Sequence, residues 1–496
     1  MEQVIVVGGG PVGIWLAAEL CRYGIEVTVL ESRPEPDPHS RALSLHPRTL
    51  EMLACRGAAE PFLADGLAIP SGHFAALPSR LDFGGLDTPF PFSLALPQVR
   101  TEELLALHAR STGVRLLRGH RVVGLTQDER AVTVRVEGPR GSYEKQASYV
   151  VGCDGTRSTV REAAGIDFPG TPATAWAWMA DVVLDEPPHP PSVFNERGTV
   201  MAFPLPGGIH RVVGNDAASV RTRPGPLTFD ELRSKVYEIT GTDFGMRDAR
   251  WLSRFGNTAR QAAAYRAGRV LLAGDAAHMH FPSGGPGLNV GLQDAFNLGW
   301  KLARTLTGTA PRGLLDTYHT ERHPVGAELL RSTRAQTALM TNYTAESLAL
   351  RDLIGELIPA VGDFSAELAR RAAGLSVAYP PAPDTHAHPL TGHRAPDLAL
   401  GTVSLFSLLR DGDHVLLDLT GRAADALAPT AHDARPGLRV HSARAAGDRA
   451  EWTGVTAALV RPDGHLAWLT EETDGPKMIA EARRAAAGTA TGRPTA

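Results

Sequence analysis

Residues 4–31 read VIVVGGGPVGIWLAAELCRYGIEVTVLE. The opening run, Val4 to Val7, is apolar and β-branched, as in a strand covered on both faces of a parallel sheet. Glycines follow at 8, 10 and 13. Gly8 permits a tight turn, Gly10 lets the backbone approach a pyrophosphate, and Gly13 lets helix and sheet close together. IWLAAELCRYG then has helical periodicity and stops at Gly24. The second strand, IEVTVLE, ends in Glu31, placed to accept hydrogen bonds from a ribose diol. A glycine motif alone is weak. Strand, turn, helix, strand and terminal acid in register are specific for a dinucleotide, whose phosphates the helix N-terminus stabilises. Val12, Ser32 and Arg33 flank the motif and join the candidate binding set with Gly8, Gly10, Gly13 and Glu31. The unit alone does not separate NAD from FAD.

The rest of the chain does. After Glu31 comes an irregular basic loop, SRPEPDPHSRALSLHPRTLEMLACRG, where a simple dehydrogenase would continue with further βαβ units. Far along the chain a second glycine loop appears, GDAAHMHFPSGGPGLN at 274–289, with strand RVLLAG before it and helix VGLQDAFNLGWKLA after it. FAD is long enough to need both loops. Its ADP half would lie on the first, and its ribityl chain and ring would reach the second. Asp275 at a strand end can hold a ribityl hydroxyl. The backbone from Gly284 through Gly287 and Leu288 to Asn289 can approach the pyrimidine edge, where N–H groups and the helix dipole favour negative charge. Between the loops, VVGCDGTRSTVR at 150–161 brings a strand into Asp154 and Gly155, with a helix starting at Ser158.

Three such motifs in this order resemble the class A flavoprotein aromatic hydroxylases, the FAD-dependent monooxygenases. HSRALSLHPRTLE, LPQVRTEELL, the 274–303 stretch and ALVRPDGHLAW make the chain most similar to bacterial hydroxylases that tailor aromatic polyketides of angucycline, anthracycline and tetracycline type. The resemblance covers nearly the whole chain. It implies that Arg41 lies beside the FAD pyrophosphate and active site, and that Gln98 reaches the ribityl–phosphate region. It places Val122, Asp154 and Thr156 along the cofactor, and Asp275, Leu288 and Asn289 in the flavin-holding loop. Arg41, Pro282, Gly284 and Gly285 form the environment of the flavin face, with no acid or base assigned. Arg161 is the candidate NADPH contact, with a simple ion pair as the alternative. One departure is Pro286, where the family has Gln or Phe; it removes a backbone N–H near the flavin.

The expected fold is α/β, in three parts. A discontinuous Rossmann-like FAD-binding domain occupies 1–170 and 266–385. An α+β substrate domain with an antiparallel sheet occupies 171–265, because WAWMADVVLDEP, GTVMAFPLPGG and IHRVVGNDA alternate between turns. Trp176, Trp178, Met201 and Phe203 are its candidate pocket walls, with core packing as the alternative. Long helices are expected over 287–375, interrupted at Pro324 and Pro359. A Pro- and His-rich linker leads to 386–482, whose strands resemble the thioredoxin-like appendage of these hydroxylases. It has no CxxC, since no cysteine follows Cys153, so thiol chemistry is excluded there. A flexible tail is expected at 483–496.

The chain has 496 residues, 43% hydrophobic and 21% charged, with a formal net charge of −4. No basic stripe points to nucleic acid or an anionic membrane, and no apolar run has the length of a membrane span. The first apolar stretch enters a glycine turn at once, as a buried strand does and a signal peptide does not. The three cysteines make neither a disulfide framework nor a metal pair. His278 and His280 lack a completing ligand set, so no metal is expected. These features read as a cytoplasmic protein, with a homodimer or a monomer left open.

The resemblance implies a reaction in which NADPH, or NADH, reduces FAD. Dioxygen then forms a flavin C4a-hydroperoxide, whose terminal oxygen passes to a polycyclic aromatic substrate. The cofactor supplies that chemistry, and the protein orients substrate and excludes water. Alternatives on the same scaffold are inactivation of a rifamycin-like antibiotic and a Baeyer–Villiger oxygenation. A non-oxygenating FAD reductase or dehydrogenase is the alternative from another class.

Overall fold

The computed structural model describes residues 1–217, 225–381, 388–420, 437–444 and 449–472, with 477, 481 and 485 singly. Strand β1 (Glu2–Val7), helix α1 (Pro11–Arg22) and strand β2 (Val27–Glu31) form the βαβ unit read from the sequence. The two strands run parallel, with Val4 beside Val27. Helices α2 (Pro47–Ala54) and α3 (Gln98–Ser111) follow, then β3 (Arg115–Arg118), which extends the parallel sheet beside β2. Strands β4 (Arg121–Gln127), β5 (Val132–Gly138) and β6 (Gly141–Gly152) form a meander. β6 serves twice. Its first half pairs antiparallel with β5, and its second half lies parallel to β1. Short helix α4 (Thr159–Ala163) is capped by Ser158, whose hydroxyl accepts the Arg161 N–H.

Strands β7 (Trp176–Val183), β8 (Ser192–Asn195), β9 (Gly198–Leu205), β10 (Ile209–Asp216) and β11 (Arg247–Gly256) build the second sheet. Its order is β8-β9-β10-β7-β11, antiparallel throughout. Helix α5 (Phe229–Thr240) packs Leu232, Val236 and Ile239 into a core with Trp178, Ala180, Val182 and Val200. The chain then returns to the first sheet through β12 (Arg266–Ala267) and β13 (Val270–Leu272), giving the order β12-β13-β6-β1-β2-β3.

Helices α6 (Pro286–Leu306), α7 (Thr317–Thr341), α8 (Ala345–Ala360) and α9 (Gly362–Ala372) fill the expected helical region. The expected break at Pro324 does not occur, and the one expected at Pro359 comes two residues later, at Val361. Pro324 lies inside α7 and Pro359 within the last turn of α8. An interior proline loses one helical hydrogen bond, at about 3 kcal/mol. In α7 that loss is outweighed by a long buried face that includes Tyr318, Leu329, Leu330 and Leu339. The breaks fall at 307–316, at 342–344 and at Val361, the last of these two residues after Pro359.

Strands β14 (His414–Asp418), β15 (Leu438–Ser442), β16 (Ala457–Val460) and β17 (Leu466–Thr470) form a last sheet, ordered β15-β14-β16-β17. Only β14 and β15 are parallel in it. This sheet does not hang free. Leu398, Leu405, Phe406, Leu409 and Val415 share one continuous core with Leu50, Leu53 and the strands of the first sheet. Parts of the C-terminal stretch expected over 386–482, and all but one residue of the tail expected over 483–496, lie outside the described residues. Among the described residues, no helix is long and apolar enough to cross a membrane.

Candidate active site

The glycines of the first loop have the separate roles their spacing requires. Gly8 has φ +105°, and a Cβ there would lie 2.3 Å from the Cys153 carbonyl oxygen. A Cβ on Gly13 would lie 2.0 Å from the Gly8 carbonyl oxygen. Those two positions are closed by backbone. At Gly10 a Cβ would meet nothing within 4 Å. Gly10 is also the N-cap of α1, which has no side-chain cap and no acid in its first turn. Its orphan N–H groups therefore face a space free of protein, as a phosphate site requires. The residues present fit an FAD pyrophosphate.

Glu31 closes the strand end beside this loop. Its Oε2 accepts the Gly9 N–H at 2.6 Å, and its Oε1 accepts the Arg33 N–H at 2.8 Å and the Ser32 hydroxyl at 3.3 Å. Arg33 pairs with Asp37 at 2.8 Å. The Glu31 carbonyl accepts the His120 N–H, which brings Val122 on β4 close by. Asp154 Oδ2 accepts the Val160 N–H at 3.1 Å and so braces the turn that carries Thr156.

The two glycine loops meet. A Cβ on Gly274 would sit 3.0 Å from Val12 Cγ2, and one on Gly291 in α6 only 2.7 Å from it. Asp275 stands exposed on the turn Gly274–Ala276. Gly284 and Gly285 both have positive φ, and Gly285 caps α6 with no side chain over the helix end. Pro286 occupies the first helical position, where an N–H has no helical partner in any case. Gly287 lies under His280, and Leu288 is half-buried. The Asn289 side chain is committed to protein: it accepts the His46 N–H and the Thr49 hydroxyl, both at 2.8 Å, and donates to the Ser44 and Gly285 carbonyls. Only its backbone remains for a ligand. His46, buried beside this loop, has its pKa lowered to about 4 by burial.

Arg41 is exposed, and among the described residues its guanidinium has no hydrogen-bond or ion-pair partner. Its backbone is held instead. Gln98 Oε1 accepts the N–H groups of Arg41 and Ala42 at 3.2 and 3.0 Å, and Gln98 Nε2 donates to Glu102 at 2.7 Å. Gln98 thus has its amide spent on positioning the Arg41 loop. Pro282 is exposed, and its carbonyl accepts the Gly285 N–H.

Two sets of residues correct the sequence expectation. Trp176 and Trp178 share one face of β7, and Trp178, fully buried, sits in the core against α5. Side chains alternate along a strand, so the register decides which residues face the cofactor loops. Trp178 is level with Gly214, and Val200 with Gly214, all on the α5 side. The opposite face carries Met179, Met201 and Val213 in one row, with Phe203, Arg211 and Asp181 in the next. That face meets the first domain. Met201 packs against the Leu339 and Met340 cluster, Phe255 lies 5.2 Å from Phe281, and Trp251 stacks on His39 at 5.2 Å and 7°. Met201 and Phe203 therefore lie on the face that meets the first domain, and the tryptophans on the opposite one.

Arg161 is the second correction. It donates to the Ala276 carbonyl at 3.0 Å and the Thr156 carbonyl at 3.1 Å, and its guanidinium lies 3.8 Å from the Phe168 ring centroid. Buried, with two of its N–H groups on these carbonyls, it forms no ion pair among the described residues. It ties the Asp154 turn to the Gly274 turn.

Sequence reasoning missed Arg211, which is buried. It forms a bidentate pair with Asp181, both bonds 2.8 Å, and faces the Arg41 carbonyl at 3.5 Å. It also missed Phe255 and Met179, whose alternation could be read only once the register was known. A cavity of about 410 Å³ opens beside Phe281, lined by Thr171, Thr174, Asn257, Arg334, Thr337 and Thr341 among others. Among the described residues, no group of three or more His, Cys, Asp or Glu could hold a metal ion.

Comparison with known proteins adds to this geometry. Residues 1–333 match the family described as FAD binding domain, and residues 388–494 the family described as aromatic-ring hydroxylase, C-terminal. An uncharacterised aromatic compound monooxygenase of Bacillus subtilis is 46% identical, covering 95% of this chain and 94% of that protein. A rifampicin monooxygenase of Streptomyces venezuelae is 43% identical, covering 95% of this chain and 96% of that protein. The solved anhydrotetracycline hydroxylase from Streptomyces rimosus superposes with a TM-score of 0.88 at 43% identity, covering 100% of both chains.

Proposed function

The chain belongs to the flavin-dependent aromatic-ring monooxygenases, and from that premise we propose that it hydroxylates a polycyclic aromatic compound of polyketide type, with NADPH or NADH as electron donor, in the cytoplasm. The observation that carries the substrate class is the sheet face of Met179, Met201 and Val213, joined by Phe255 and Phe281. Its first row is apolar and polarisable, with the Arg211–Asp181 ion pair in the next row, and among the described residues no group of three or more His, Cys, Asp or Glu could hold a metal ion. Such a face suits a flat multi-ring substrate better than a single charged ring.

The residues divide the work. Gly8, Gly10 and Gly13 with the N-terminus of α1 hold the pyrophosphate, and Glu31 holds the adenosine ribose, with Ser32, Val122 and Thr156 alongside. Asp275 and the backbone of Gly284 to Asn289 hold the ribityl chain and the pyrimidine edge. The chemistry supplied by bound FAD is electron uptake from a nicotinamide and activation of dioxygen. Arg41, uncommitted at the mouth, binds the anionic parts of cofactor or substrate. Arg211 and Gln98 fix its backbone from two sides. Pro282, Gly284 and Gly285 shape the flavin face, while Met201 and Phe203 orient the rings and exclude water. No side chain here is assigned as acid or base, since an acidic polyketide phenol ionises without one.

The division into an FAD-binding part (1–170 and 266–385), a substrate part (171–265) and a thioredoxin-like C-terminal part (386–482) belongs to the same proposal. The strand order β15-β14-β16-β17 with its one parallel pair supports the last of these. The 43% identity to a rifampicin monooxygenase supports a second reading, oxygenation of a rifamycin-like antibiotic. NADPH consumption by the flavin-loaded enzyme, measured against polycyclic phenols and rifamycins with peroxide read in parallel, tests both. Stimulated consumption with little peroxide is expected for one of the two compound classes. Consumption that stays at baseline with both, or that ends wholly as peroxide, contradicts the proposal.

A further inference from the structure

Asp294 sits fully buried in the middle of α6, behind the second glycine loop. Its Oδ2 accepts the Gly274 N–H at 3.1 Å and faces His278 Nε2 at 2.8 Å. Its Oδ1 accepts Arg322 Nε at 2.7 Å. Gly274 opens the turn that carries Asp275, so this carboxylate fixes that turn's backbone. Arg322 is also fully buried and spends its other nitrogens on the Val290 carbonyl and the Tyr379 hydroxyl, both at 3.2 Å. The Tyr379 ring lies 4.2 Å from the His465 ring and 5.0 Å from the Arg461 guanidinium.

Arg461 and His465 bound the turn between β16 and β17, in the C-terminal sheet. That turn is anchored in the helices behind the loop. Arg461 forms two bonds of 2.8 Å to Glu321, which also accepts Lys301 at 2.7 Å. Asp463 accepts Asn297 of α6 at 3.1 Å, and its carbonyl accepts Arg48 of α2 at 2.8 Å. A chain of buried contacts therefore runs from the C-terminal sheet, through ring packing on Tyr379 and the charge-assisted bonds of Arg322 and Asp294, to the backbone of the second glycine loop. Burying so many charges costs more than an apolar interface of equal size, so it is weak as a device for stability alone. Its geometric specificity is high, because each bidentate pair fixes an angle as well as a distance.

We propose that Asp294, Arg322 and Tyr379 are positioning residues that couple the C-terminal turn 461–465 to the Gly274 turn, so that the C-terminal sheet sets how tightly FAD is held. The inference rests on the reading that the Gly274–Asp275 turn meets the cofactor. Neither Tyr379 nor Arg461 touches that turn, so any effect they have on the cofactor passes through Arg322 and Asp294.

The test compares the full-length protein with Tyr379→Phe, Arg461→Gln and Asp275→Ala. It measures the FAD dissociation constant by fluorescence titration, the visible spectrum of the bound flavin, and thermal unfolding without FAD. Tyr379→Phe keeps the ring stacking and removes one acceptor from a buried charge. It is expected to weaken FAD binding about tenfold and to shift the flavin spectrum, which a loss of stability in the FAD-free protein alone would not do. Arg461→Gln should act in the same direction, and if it fails to fold, Tyr379→Phe alone decides. Wild-type FAD affinity and spectrum in Tyr379→Phe, with binding weakened in Asp275→Ala, would overturn the coupling and leave the site reading intact. Wild-type affinity in Asp275→Ala would remove the site reading on which the coupling rests.

Discussion

Val12 and Gly291 lie so close that a Cβ on the glycine would stand 2.7 Å from Val12 Cγ2. Val12 belongs to the first glycine loop and Gly291 to the helix that follows the second. Their contact brings two loops remote in sequence against each other. Gly274 closes on the same valine, so the spacing between the loops is set by a single side chain.

Gly291→Ala is expected to force the loops apart, since the new methyl would also stand 3.2 Å from Gly274 Cα. Overpacking of this kind costs about 1–3 kcal/mol. FAD retention should fall, and Val12→Ala in the same chain should restore part of it. Titration of the single and double variants checks the recovery. Independent, additive losses would contradict the shared contact.

Arg41→Ala should leave stability within about 0.5 kcal/mol of wild type, because the exposed guanidinium has no partner among the described residues. Turnover or cofactor affinity should fall by about tenfold or more, the worth of a charge-assisted hydrogen bond to a ligand. Unfolding curves and steady-state kinetics on one preparation separate the two effects. A stability loss with unchanged kinetics would show the arginine to be structural.

Trp178 and Met201 should behave oppositely. Trp178→Ala empties the core against α5 and is expected to cost about 3–5 kcal/mol of stability, with KM unchanged in the protein that remains folded. Met201→Ala should change KM for a bulky aromatic substrate and cost less stability, because Met201 is only half-buried. The reverse pattern would mean that the register-based choice of face is wrong.

Acid should destabilise the protein in a defined window. Burial lowers the pKa of His46, His73 and His465 to about 4, from an ordinary 6.5. Between those values the unfolded chain binds protons that the folded chain refuses. Stability is therefore retained above 6.5 and falls as pH drops toward 4. Urea midpoints across that range measure it, and His73→Gln should flatten the slope. A midpoint constant through the window would contradict the assignment.

The first loop was legible because each glycine answers a different physical demand. Gly8 and Gly13 are closed by backbone and Gly10 is open, and no other residue type satisfies all three. The joint cofactor was legible because one βαβ unit cannot hold a molecule as long as FAD. The sheet face was not legible. WAWM alternates correctly, but alternation does not say which parity faces inward until strand pairing is known, and Met179 rather than Trp178 won. Arg161 misled for a related reason: a basic residue on a cofactor-turn helix reads as a ligand contact, yet the carbonyls of Thr156 and Ala276 claim it. The network around Asp294 was invisible because its partners come from α6, α7, the linker and the last sheet.

The central claim is that this chain transfers one atom of dioxygen to a polycyclic aromatic ring lying under the Met201 face. The most direct measurement is the product mass after turnover of a polycyclic phenol with NADPH under isotopically labelled dioxygen. The account predicts a product heavier by one labelled oxygen atom, and loss of that product in Arg41→Ala. Label found only in peroxide or water for every polycyclic aromatic tried, with NADPH still consumed, would contradict it.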